Sequence, residues 1–475
     1  MPVALQPVGM WRDAQPQAMS NTIYGCGQLG ITPPADWLQQ YWRASSLKLG
    51  AFIAQDYSNT LYACGQLSII PPTDWLQRFW DASALKLGEF VPQALSNTLY
   101  ACGQLGVMPI DSWLLRYWHA SASKMGGFSP QNLANTMYAC GQLGIALPVD
   151  WLQHYWLASA LKLGDFKPQN FSNTLHACGK SNITPPAGWL QRFWHASALK
   201  LGGFKPQELS NTLYACGQLG ITPPADWLQR YWHASAFKLG EFNPQAFSNV
   251  VLVCAQLDIR PPVAWLQSFS DAFEHSLLDT DRQSLANTAL ALATLGLWEL
   301  PLWPSLWERL CNSLSCNTAD WNADIELSQL YAQQLYQTYQ AAEVERPGLL
   351  KSPSPELLAA ARKSWFDGMD HTSSRLHADV SACLARMSVA HVNERWCERS
   401  ERCIDIASEG AGAPVAVEVD GPHHYLQDGR QDGRTRLRNR MLAAHGWRVV
   451  VVHFRVWMEL TTEAQREDYL HNLLP

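Results

Sequence analysis

The chain has 475 residues, 47% of them hydrophobic and only 16% charged, so it holds enough apolar material for large cores. A formal net charge of −6 excludes a uniformly basic nucleic-acid binder, although residues 1–310 carry 18 basic and 19 acidic side chains and leave room for a basic stripe on one face. The 12 cysteines lack CxxC zinc spacing, and no apolar run approaches the ~18 residues of a membrane span.

The first 20 residues contain no signal-peptide core and are not the Arg- and Ser-rich, acid-poor stretch of a transit peptide. Repeat-like sequence begins almost at once. The expectation is a chain truncated at its start, or an internal methionine at Met1.

Two ladders then run in one register. Trp37, Trp75, Trp113, Trp151, Trp189, Trp227, Trp265 and Trp303 are spaced by 38, as are the asparagines from Asn21 to Asn287. Eight repeats follow from this period. In residues 92–126, Leu95, Leu99, Cys102 and Leu105 mark an amphipathic helix A, stopped by Gly106. A Pro-containing turn leads to helix B with Trp113, Leu114, Tyr117 and Trp118, which ends near Gly126. Each repeat is thus an αα-hairpin. One hairpin cannot bury two indoles, so neighbours must stack, and residues 14–310 are expected to form an α-solenoid. Seven cysteines fall once per repeat on helix A and read as buried thiols. Ser270 replaces a second Trp and Leu292 a Cys, as terminal repeats need.

The repeat, as in Leu209 to Trp232, resembles the octotricopeptide repeat of green-algal organelle proteins. That resemblance implies sequence-selective binding of organellar single-stranded RNA, in the chloroplast or alternatively the mitochondrion. It further implies a role in processing, stability, splicing or translation of transcripts, in company with other RNA-processing proteins. No cofactor is required for such binding.

Three ladders are candidates for touching RNA. Asn97, Asn135, Asn173 and Asn211 repeat with little change, so they can hold backbone or structure but cannot discriminate bases from one repeat to the next. The position three residues earlier varies, and Asp56, Asn132, Asn170 and Glu208 are the candidates for base choice. Alternatively it is an exposed first-turn position free to drift. Lys86, Lys124, Lys162 and Lys200 form a cationic row that would track phosphates, or complement the dipole at the end of helix B.

Residues 311–400 lose the period and read as a helical connector, with helices over 324–344 and 355–366 and a Pro-containing linker between. Residues 401–475 change character. Strands at Cys403–Ala407 and Val415–Val419, a helix at Thr435–His445 and a strand at Trp447–Phe454 make a small α/β domain. Asp405, the run Val417 to Tyr425, Thr435, Gly446-Trp447 and Trp457 are similar to the RAP domain. That family resembles the PD-(D/E)XK nuclease fold and often follows RNA-binding repeats.

Asp405, Glu418 and Asp420 are therefore candidates for a catalytic and metal-binding cluster that would hold Mg²⁺. His423 is the candidate base, and Arg436 and Arg438 are candidates for pairing with phosphate. The nuclease pattern carries Lys two residues after the Glu, and Asp420 stands there instead. The leading expectation is an organellar single-stranded RNA-binding protein. A repeat-guided, metal-dependent endoribonuclease and a protein-interaction scaffold are the alternatives.

Overall fold

The structure is a computed structural model, and it describes residues 11, 13–315, 325–368, 374–409 and 413–474. By compactness the chain divides into two bodies, Met1–Leu219 with Pro223–Ser235, and Gly220–Thr222 with Ala236–Pro475.

The first body is a solenoid-like array of six helix A and helix B pairs, from Pro16–Leu29 and Ala35–Ser46 to Pro206–Leu219 and Ala225–Ala236. Most A helices open on proline, whose fixed φ and missing N–H suit the first turn. In the third repeat, helix A spans Pro92–Leu105 and ends on Gly106 at φ 65, with the Val107 N–H donating to the Cys102 carbonyl at 3.0 Å. This left-handed cap satisfies a free carbonyl, as the sequence predicts. A short 3-10 turn, Met125–Gly127, follows helix B, Asp111–Lys124.

Stacking of repeats solves the two-indole problem. The second Trp of one repeat meets the first Trp of the next edge-on, as Trp80 meets Trp113 with ring centroids 5.1 Å apart. From the second repeat to the sixth, the first Trp also has a buried polar partner. Trp113 Nε1 donates to Ser83 Oγ of the preceding repeat at 2.9 Å, and Trp75, Trp151, Trp189 and Trp227 do the same to Ser45, Ser121, Ser159 and Ser197. The cysteine ladder is buried, and burial pushes these thiols up. They are inert packing groups.

Successive A helices approach closely because a glycine of one faces an alanine of the next. A Cβ on Gly103 would lie 2.9 Å from the Ala139 Cα, and one on Gly141 would lie 2.9 Å from the Ala177 Cα.

The second body holds the last two repeats, with A helices Pro244–Gln256 and Arg282–Thr294 and B helices Val263–Ser276 and Trp303–Ser315. Helices Ile325–Glu345 and Pro355–Asp367 continue the stack, close to the expected ranges; residue 324 lies outside the described residues. Ser270 and Leu292, the atypical residues of these repeats, are both buried.

The C-terminal sheet has four strands in the order β1 Val392–Cys397, β2 Arg402–Ser408, β3 Val415–Asp420 and β4 Arg448–His453. The first two pairings are antiparallel and β3–β4 is parallel, bridged by helix Gly433–Ala444. The sequence anticipates three of these strands and the bridging helix. It misses β1, a largely exposed edge strand without an apolar face. It also misses helix Arg375–Arg386, whose Val380, Cys383 and Leu384 enter one core with Ile406, Val417, Val452 and Trp457. The α/β domain thus begins before the expected boundary at 401.

Candidate nucleic-acid interface

Helix A of each repeat in the first body keeps one stripe off the core. In the third repeat it is Gln93, Asn97, Tyr100 and Gln104, at i, i+4, i+7 and i+11, all exposed or half-buried. Asn97, Asn135, Asn173 and Asn211 lie on it, and none of their side-chain amides has a hydrogen-bond partner among the described residues. An amide held in place and uncommitted offers a donor pair and an acceptor to a ligand.

The tyrosines are the functional candidates that sequence reasoning missed. Tyr24, Tyr62, Tyr100, Tyr138 and Tyr214 recur three residues after the asparagines of repeats one to four and six, half-buried on the same stripe. Tyr24 and Tyr62 have ring centroids 6.5 Å apart, and Tyr100 and Tyr138 6.0 Å. Burial, and then Tyr138 and Tyr62, push the Tyr100 phenol up, so it stays neutral and able to donate. The signal was available in the 38-residue period and was hidden behind the louder Trp ladder. A row of partly exposed rings is a stacking platform for unpaired bases. The glutamines close the stripe: Gln28 Nε2 donates to Gln66 Oε1 at 3.2 Å.

The varying position lies elsewhere. Asp56, Asn132 and Asn170 are 3%, 9% and 6% exposed, so this is not an open surface position. Each sits at the third residue of helix A and its side-chain oxygen accepts the N–H that precedes the helix: Asp56 from Ile53, Asn132 from Ser129, Asn170 from Lys167. Glu208, half-buried, does the same with the Lys205 N–H at 2.8 Å. Asp56 also accepts from Ser20 Oγ of the previous repeat at 2.6 Å. These residues cap helices, and their polarity is accounted for without a base.

The lysine row is a clamp between repeats. Lys124 Nζ donates to the Gly88 and Phe90 carbonyls at 2.6 Å each, and Lys86 and Lys200 repeat the pattern on the two carbonyls one repeat earlier. Lys162 does so with Gly126 and Phe128. Two of the three ammonium protons are thereby committed.

In the C-terminal domain β3 brings Glu418 and Asp420 together, both fully buried. Arg438, on the bridging helix, ion-pairs with Glu418 and reaches Asp420 Oδ1 at 3.2 Å. Gln431 Nε2 donates to Asp420 Oδ2 at 2.6 Å. Asp405 is turned to the backbone, where its carboxylate accepts the Val419 N–H at 2.7 Å. Burial outweighs Arg438 at Glu418 and pushes its carboxyl up to about 8. His423 is exposed, and it is His424 whose Nδ1 lies 3.9 Å from Asp420 and 2.9 Å from Thr435 Oγ1.

A Mg²⁺ ion needs an open cage of oxygen ligands. Here a guanidinium stands between Glu418 and Asp420, and Asp405 serves a strand. Among the described residues no group of three or more His, Cys, Asp or Glu is arranged to hold a metal. As arranged, Asp405, Glu418 and Asp420 do not fit the ion: Glu418 and Asp420 close on Arg438, and Asp405 accepts the Val419 N–H.

Arg436 and Arg440 face the last repeats. Arg436 ion-pairs with Asp258, and Arg440 donates to the Thr294 and Ala293 carbonyls at 2.8 and 2.9 Å and to Glu345. Cations at the carbonyl ends of helices complement their dipoles. Arg436 and Arg438 are thus both engaged within the protein.

The comparisons agree with this division. Residues 417–473 match the model of the RAP domain. Residues 151–298 match that of the Tbc2 translation factor N-terminal domain, and residues 85–209 that of the Tbc2 translation factor C-terminal domain. The two matches overlap and run in reverse order, as a periodic sequence allows. The chain is 26% identical over 187 residues to a chloroplastic RAP domain-containing protein of Oryza sativa subsp. japonica, a stretch covering 38% of this chain and 28% of that relative. An engineered protein solved by crystallography aligns over 75% of this chain and 96% of its own at 10% identity, with a TM-score of 0.20, too low to bear on the fold. The chain is therefore similar to the RAP domain near its C-terminal end and to the Tbc2 translation factor families over its repeats.

Proposed function

We infer that the chain binds single-stranded RNA in an organelle, through the Asn, Tyr and Gln stripe of its A helices. The observation that carries this reading is the row of uncommitted asparagine amides beside partly exposed tyrosine rings, one set in each of repeats one to four and six. Stacking and amide hydrogen bonding are what single-stranded RNA readers use. The chloroplastic designation of the rice relative supports that organelle over the mitochondrion, and the translation-factor name of the matching models supports a role in expression of a bound transcript. A nuclease reading is not favoured, because Arg438 occupies the centre of the carboxylate cluster.

The test is retention of a random single-stranded RNA pool by the purified chain and by a Tyr62→Ala, Tyr100→Ala, Tyr138→Ala variant. Each ring is worth about 1–3 kcal/mol, so the variant should bind at least tenfold more weakly with its helical signal intact. Unchanged binding would remove the stripe from the account. No retention by either chain, with capture of a protein instead, would favour the scaffold alternative.

A further inference from the structure

The stripe is nearly invariant across the first body. Repeats one to four and repeat six present an Asn, a Tyr three residues on and a Gln four beyond, as at Asn97, Tyr100 and Gln104. Repeat five keeps Asn173 but sets His176 and Lys180 in the other two places. At the varying position three residues before the Asn, Asp56, Asn132 and Asn170 are buried in helix caps, and Glu208 is engaged by the Lys205 N–H.

Base preference is a difference in affinity, and it needs a difference in the side chains that meet the base. Identical side chains at successive positions must prefer the same base. We propose, resting on the RNA-binding reading of the stripe, that the first body recognises a homopolymeric single-stranded tract, one repeated base along six positions with a single break at the fifth repeat.

The break has its own chemistry. His176 is half-buried, its Nδ1 has no partner, and burial and Lys180 hold its pKa below the ordinary imidazole value, so the ring is neutral. Lys180 Nζ reaches Gln142 Oε1 of the fourth repeat at 2.6 Å and takes up the acceptor that a base would use there. Lys180 is also the one cation on the stripe of the described A helices in this body. Repeat five therefore offers a charge and a small ring where its neighbours offer an amide and a phenol.

The experiment uses the full chain and labelled 12-mers of adenylate, cytidylate and uridylate, against a mixed-sequence pool of the same length. Binding is read by anisotropy. One homopolymer should bind at least tenfold more tightly than the pool, since several positions each discriminate by about that factor. Removing the break with His176→Tyr and Lys180→Gln should tighten that homopolymer by about tenfold more. A pool that binds as tightly as the best homopolymer would overturn the proposal while leaving RNA binding intact. No gain from the double variant would overturn the assignment of repeat five as the break. Failure of every strand to bind would overturn the RNA-binding reading and this inference with it.

Discussion

At the scale of single residues, Ser83 and Gly103 do more for the array than their size suggests. Ser83 Oγ is the acceptor for the buried Trp113 Nε1 at 2.9 Å. Ser83→Ala would leave that donor unsatisfied, at a cost of about 1–3 kcal/mol, to be seen as a lower denaturation midpoint. Gly103→Ala places a methyl 2.9 Å from the Ala139 Cα, so it should destabilise by about 1–3 kcal/mol from overpacking. Both ladders have the 38-residue period, yet neither announces its partner, because a serine or glycine contact 30 or more residues away has no local pattern. The lysines show the reverse case, since the sequence offered both phosphate tracking and a helix-end role, the second slightly favoured. Lys124→Met should lower stability by about 1 kcal/mol through loss of the clamp. It should leave the slope of log affinity against log salt unchanged, where a phosphate contact would reduce it by about 1.

Glu418 adds a prediction of pH dependence. Its folded-state value of about 8 lies above the ordinary carboxyl value of 4.5, so the folded domain holds the proton more tightly than the unfolded chain. That contribution is complete below about 4.5 and is lost as pH climbs to about 8. The thermal midpoint of the wild type should therefore fall across this window relative to Glu418→Gln, which keeps the shape and has no proton to lose. Parallel midpoints for the two chains would rule this out.

At the scale of elements, the helices of the repeats were legible because their apolar period and their terminal Gly and Pro agree. The strands β2 to β4 were legible by their Val and Ile runs. The edge strand β1, Val-Asn-Glu-Arg-Trp-Cys, was not, since only Cys397 is buried and alternation has nothing to mark. The site was less legible than the fold. Asp405, Glu418 and Asp420 were placed on the right strands, but the sequence gives no hint that Arg438 closes on the latter two. Helix Gly433–Ala444 also has a docking role that no motif signals. Gly433 packs so closely that a Cβ would lie 1.8 Å from the Ala255 carbonyl oxygen, and Arg440 binds the carbonyl end of helix Arg282–Thr294. Gly433→Val should free this helix from the last repeats. Hydrogen exchange should then rise in Pro244–Gln256 and Arg282–Thr294 but not in the A helices of the first body. Unchanged exchange in those two helices would show that the contact is not needed to hold them.

At the scale of the whole molecule, the chain separates two tasks that the sequence presented together. The cations and carboxylates that look most like nucleic-acid chemistry are consumed in holding repeats and the RAP domain together. The neutral stripe of asparagine and tyrosine is left free. A binder of this kind at net charge −6 depends on stacking and amide hydrogen bonds more than on phosphate, so its affinity should fall only gently with salt. The most direct test is photocrosslinking of the intact chain to a 4-thiouridine-containing single-stranded RNA pool, with the crosslinked residues mapped by mass spectrometry. The account predicts crosslinks on A helices, at Tyr62, Tyr100, Tyr138 and Tyr214 or their neighbouring asparagines. Crosslinks confined to the B helices, the lysine row or the RAP domain would contradict it.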